Sequence, residues 1–241
     1  MKKLHIRRPV WRGPRLSRKA RIVRNLTLSA LAAAVLYASL GFPPYTVNGM
    51  VDRMARRYLL PNLKPVYVLK DPRHYGSDIL PGRRFTYIIA RSGEDYLAFQ
   101  YNTHLWNSEL FFSRDPVLAE GAYCAARAGT LYAASPAMAG AASVTAAVET
   151  KYETFTLEGE RLSEEVFGFP YRNGNGPDLY TAVDFAYRKD SYAHTYEGGT
   201  VTGYTRVDAD LPVTVTLYDE VGKALDTLRL TVSTSEITGW Y

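Results

Sequence analysis

The stretch PVTVTLYDEVGKALDTLRLTV, residues 212–232, decides the fold. Val213, Val215 and Leu217 alternate with Thr214, Thr216 and Tyr218, and Leu228, Leu230 and Val232 alternate with Arg229 and Thr231. Successive side chains of a strand point to opposite faces, so each run presents one apolar and one polar face. Asp219-Glu220-Val221-Gly222-Lys223 joins the two runs, and the whole reads as an antiparallel hairpin.

The same chemistry recurs upstream. Residues 66–69, 85–91 and 96–101 are short, rich in Tyr, Phe, Ile and Val, and separated by Pro, Gly, Asn and Asp clusters. Arg91-Ser92-Gly93-Glu94-Asp95 has the composition of a hairpin loop. Residues 144–157, 180–187 and 200–207 add further strands. The expected fold is mainly β, an antiparallel β-sandwich-like or β-rich α+β domain over residues 63–241. A composition shift near 163–178 leaves room for two subdomains: Ser163-Glu164-Glu165 opens a short helix, and Arg172-Asn173-Gly174-Asn175-Gly176-Pro177-Asp178 is a turn.

The N-terminal part is of a different kind. Ten Lys and Arg with no acid precede Asn25, leaving 19 basic against 24 acidic groups in the other 216 residues. The basic pI thus belongs to the arm, while the rest is mildly acidic and repels phosphate at long range, which argues against a nucleic-acid partner. Residues 1–24 are expected to form a disordered basic cytoplasmic arm, with Pro9, Gly13 and Pro14 opposing a regular helix. The uncharged run from Leu26 to Phe42 makes residues 25–43 a transmembrane signal anchor whose partner is the lipid bilayer. Positive flanks resist translocation, so the N-terminus is placed in the cytoplasm and the following domain outside, in a single-pass topology. A cleavable signal peptide is the rival. It is disfavoured by the long basic region and by Phe42-Pro43-Pro44 directly after the small-residue cut at Ser39-Leu40-Gly41. Residues 44–62 form an amphipathic stalk helix, capped by Thr46 and ended by Pro61, with Val47, Met50, Val51, Met54 and Tyr58 on one stripe.

Residues 119–148 contain thirteen Ala, and residues 128–148 carry no charge, long enough formally for a second crossing. Gly129, Ser135, Pro136, Gly140 and Ser143 oppose a spanning helix, and Leu and Ile are scarce, so the segment reads as tightly packed core helix or close-set strands.

Few residues point to chemistry. Cys124 is the single cysteine, which excludes an intramolecular disulfide, and its neighbours make it a packing residue rather than a nucleophile. His74, His104 and His194 form no close ligand pattern, and no P-loop, GxSxG elbow or GxGxxG turn is present, so neither metal nor cofactor is expected. Asp208-Ala209-Asp210 beside Pro212 reads as a solvated loop rather than a calcium site. The densest polar-aromatic mix is Tyr101-Asn102-Thr103-His104-Leu105-Trp106-Asn107. Alternation would bring Asn102, His104 and Trp106 to one face, able to grip a sugar or peptide; the competing role for Trp106 is core packing. Nineteen Tyr suit sheet packing as well as carbohydrate platforms. The expected function is a membrane-tethered extracytoplasmic binding or scaffolding module whose partner is a cell-envelope polymer or envelope protein. An exported, membrane-anchored hydrolase and an envelope-sensing regulator are the alternatives.

Overall fold

The computed structural model describes residues 17–39, 46–71, 84–103, 117–127, 129–172, 178–196 and 199–238. They form mostly antiparallel β structure together with one N-terminal apolar helix. Two units are distinguished, the first containing that helix and the second the sheets.

Helix α1, Arg18–Ser39, has 22 residues, about 33 Å at 1.5 Å per residue. It starts at Arg18 rather than near residue 25, so Arg18 to Arg24 are helical and not part of a disordered arm. The reason is local: Ser17 Oγ accepts from Ala20 N at 3.2 Å, and Lys and Arg are good helix formers that let the Leu- and Ala-rich run propagate upstream. Thr27 Oγ1 and Ser39 Oγ each donate to a carbonyl of the preceding turn, both at 2.9 Å. None of its residues is buried.

In the second unit α2, Val47–Tyr58, begins where Thr46 Oγ1 accepts from Gly49 N at 3.1 Å. It ends on Leu59, whose left-handed backbone (φ 55°) lets Leu60 N reach Ala55 O. There follow β1 Lys64–Asp71, β2 Arg84–Ser92, β3 Asp95–Thr103, β4 Val117–Glu120, β5 Tyr123–Arg127, β6 Thr130–Ala134, β7 Ser143–Glu149, β8 Thr154–Glu158, β9 Glu160–Arg161 and β10 Val166–Pro170. Helix α3, Leu179–Ala186, precedes β11 Arg188–Tyr196, β12 Gly199–Arg206, β13 Asp210–Tyr218, β14 Ala224–Ser233 and helix α4, Thr234–Thr238.

The strands make a first sheet β1-β2-β3-β4, a second β5-β6-β10-β9, a third β14-β13-β7-β8 and a ribbon β11-β12. Residues 212–232 form the expected hairpin, with Val213 opposite Leu230 and Val215 opposite Leu228.

Burial follows the period of two and arranges these elements in layers. In the first sheet Ile88, Ala90, Leu97 and Phe99 pack against Met50, Val51 and Met54 of α2, while Tyr87, Ile89, Tyr96 and Ala98 face the second sheet. In the second sheet Tyr123, Ala125, Tyr132 and Ala134 meet the first sheet, whereas Ala126, Leu131, Ala133, Phe167 and Phe169 meet Val144, Ala146, Val213 and Val215 of the third. The second sheet is therefore covered on both faces. Its central strands β6 and β10 have no solvent side for charged residues, and small side chains let the neighbouring layers approach, which accounts for the uncharged Ala-rich character of β6, whereas the edge strand β9 carries Glu160 and Arg161 exposed.

Two local expectations are corrected. Residues 180–186 form helix, with Tyr187 as its C-cap, and not the expected strand over 180–187, because Asp178 Oδ1 accepts from Thr181 N at 3.1 Å and Leu179, Val183 and Ala186 fall on one buried stripe. Ser163-Glu164-Glu165 does not open a helix. Leu162 N and Ser163 N both donate to Val166 O, closing a tight turn into β10. Phe167 and Phe169 of β10 and Leu179 and Val183 of α3 share one apolar cluster.

Candidate functional site

Asn102 lies in β3 opposite Phe85 of β2, and its neighbour Tyr101 is buried among the residues beneath α2. His104 and Trp106 lie outside the described residues, as does the groove the three were expected to line.

Polar groups gather instead at two places in the sheet unit. The first is the seam between the first and second sheets. Tyr87 and Tyr123 share a hydroxyl–hydroxyl hydrogen bond of 2.6 Å. The Arg127 guanidinium lies 5.0 Å from the Tyr87 ring centroid and donates to Gln100 Oε1. Glu236 Oε2 accepts from Ala126 N at 3.2 Å. Burial pushes both phenols up in pKa, so they stay neutral at physiological pH. Cys124 beside them is also pushed up by burial, with the Glu236 charge adding to the effect, and a thiol held protonated is no nucleophile. The cavity here has about 20 Å³, space for a single water. At the near end of the same interface Glu165 accepts from the Arg91 guanidinium and from Tyr96 Oη, the latter at 2.9 Å. These groups are satisfied by one another and fasten the layers.

The second place is a cavity of about 190 Å³ where α3, the β12–β13 connection and α4 meet. Its apolar wall is Val183, Tyr187 and Val207, and its polar rim is Asp208, Thr234 and Ser235. The chain is brought here by backbone ties: Val207 N donates to Tyr187 O at 2.9 Å, and Thr234 N to Ala209 O at 2.9 Å. Asp208 Oδ1 accepts from Ser233 Oγ at 2.5 Å, Thr234 Oγ1 at 3.2 Å and Ser235 N at 3.3 Å. Those donors, Ser233 foremost, hold the carboxyl below its ordinary pKa. The Thr234 and Thr238 hydroxyls reach the Val207 and Thr234 carbonyls. Chemically, the place offers an oriented anion at the mouth of an apolar hollow.

Sequence reasoning missed this cavity. Asp208 lies exposed in a connecting segment, as expected, but the donors that organise its carboxylate come from about 25 residues downstream, a pairing no local pattern announces. The available signal was the Asp178 cap with the spacing Leu179, Val183, Ala186, which yields α3 and hence the wall.

Among the described residues no three His, Cys, Asp or Glu side chains gather as a metal-ligand set. Comparison with protein-family models, with curated proteins and with solved structures gives no significant match to this chain.

Proposed function

We infer that this chain is a single-pass, membrane-tethered module whose β-sheet unit binds or scaffolds components of the cell envelope, with the N-terminus cytoplasmic and residues 44–241 outside. The observation that carries the reading is α1, which is long and apolar enough to cross a bilayer and has no buried residue. Ile22, Val23, Leu26, Leu28, Leu31, Val35 and Leu36 are each more than half exposed. A large apolar side chain gains about 1.5–3 kcal/mol on leaving water, so a helix with this surface needs an apolar surrounding. Its Thr27 and Ser39 hydroxyls are bonded within the helix, which lowers the cost of placing them in hydrocarbon.

Orientation is argued from charge. Arg18, Lys19, Arg21 and Arg24 occupy the first two turns, where the positive end of the helix dipole disfavours them. Their placement makes sense as a topology signal held among headgroups, with the same charges resting on an anionic inner leaflet. The mildly acidic remainder is suited to a polymer or protein partner rather than to nucleic acid.

Membrane fractionation tests the tether. The expected result is a full-length chain that stays with the membrane through an alkaline carbonate wash and leaves it only in detergent. Release by carbonate, or a mass lacking residues 1–41, contradicts an uncleaved anchor.

A further inference from the structure

The geometry points to the cavity between α3 and α4 as a binding site for a small organic cation, a primary ammonium carried on a compact ring, with Asp208 as its counter-ion. The inference concerns the sheet unit alone and does not depend on the anchor.

Size sets the first limit. An apolar cavity of about 150 Å³ accommodates benzene, so about 190 Å³ has space for one ring and one short substituent. Chemistry sets the second. Val183 and Val207 supply aliphatic wall, and Tyr187 supplies a ring whose face attracts cations. Asp208 supplies the charge: its Oδ1 is held by Ser233 Oγ, Thr234 Oγ1 and Ser235 N, and the Ser235 hydroxyl bonds the same carboxylate, so the anion is fixed in place by neutral donors. No described Lys or Arg forms an ion pair with it. A carboxylate at the rim of an apolar hollow attracts a cation more strongly than it would in open water, because the effective dielectric falls there. An anionic ligand meets repulsion at the same rim, and a neutral ring gains the wall contacts without the ion pair.

Capping of α4 is the competing role for Asp208, and the two are separable. Asp208→Asn keeps the Oδ1 acceptor for Ser233, Thr234 and Ser235 and removes the charge. Titration calorimetry on the full chain in lipid nanodiscs, with benzylammonium and benzyl alcohol as probes and empty nanodiscs subtracted, reads the difference. Benzylammonium is expected to bind at least about tenfold more tightly than benzyl alcohol, and Asp208→Asn to abolish that preference while the alcohol still binds. Val183→Phe, which fills the hollow from α3, is expected to remove binding of both probes. The assignment is overturned if the wild-type chain binds neither probe at millimolar concentration, if it binds both equally, or if the preference for benzylammonium survives in Val183→Phe or in folded Asp208→Asn.

Discussion

Glu165 joins two layers through two donors at once. Its side chain and that of Arg91 are 18% and 25% exposed, and Tyr96 is fully buried. Removing the carboxylate by Glu165→Ala leaves the buried Tyr96 phenol without its acceptor and Arg91 with only Gly93 O and Glu94, at a cost of about 1–3 kcal/mol. A double-mutant cycle with Arg91→Ala by denaturant unfolding is expected to show coupling, and additive losses would assign the pair no role in fastening the sheets. Asp208 gives a pH signature. Its folded pKa lies below the ordinary 3.8, so between the two values the unfolded chain binds more protons and stability rises with pH. Its contribution is complete above the ordinary value and is lost as pH falls toward the folded one. The stability difference between wild type and Asp208→Asn is therefore expected to shrink on acidification below about pH 4, and a difference constant from pH 6 to pH 3 would contradict the depressed pKa.

At the scale of elements, the covered second sheet is the part of the fold most sensitive to volume. Ala133 in β6 is fully buried against the third sheet, between strands whose partners cannot retreat without disturbing a second interface. Ala133→Leu is expected to destabilise by about 1–3 kcal/mol through overpacking, measured as a lowered denaturant midpoint, whereas an unchanged midpoint would mean the layers are looser than the burial implies. This element also shows what a sequence discloses. The hairpin 212–232 was legible because the third sheet is covered on one side only and so alternates, Leu211, Val213, Val215 and Leu217 being buried while Pro212 is exposed. The segment 123–134 was ambiguous because a sheet covered on both sides loses alternation, and Ala, Tyr and Leu in a continuous run fit a helix or a strand equally. Residues 180–187 were misread for a related reason: Tyr180, Val183, Phe185 and Tyr187 carry strand propensity, and one side-chain cap at Asp178 with burial of Leu179 and Val183 overrides it.

For the whole molecule, the charge step near Asn25 made the apolar helix legible without any tertiary information, since a helix long and apolar enough to cross a bilayer is set by composition along one segment. The candidate site was not legible for the opposite reason. Its wall and rim come from residues 183–187, 207–208 and 234–238, joined only when β13 and β14 return the chain beside α3. Of Asn102, His104 and Trp106, nominated from local density, only Asn102 lies among the described residues, in β3. The tether and its direction remain the central claim. Epitope tags placed before Trp11 and after Tyr241 can be challenged with protease in sealed, right-side-out vesicles. The account predicts that the C-terminal tag is lost while the N-terminal tag survives until detergent is added; a protected C-terminal tag beside an accessible N-terminal one would contradict it.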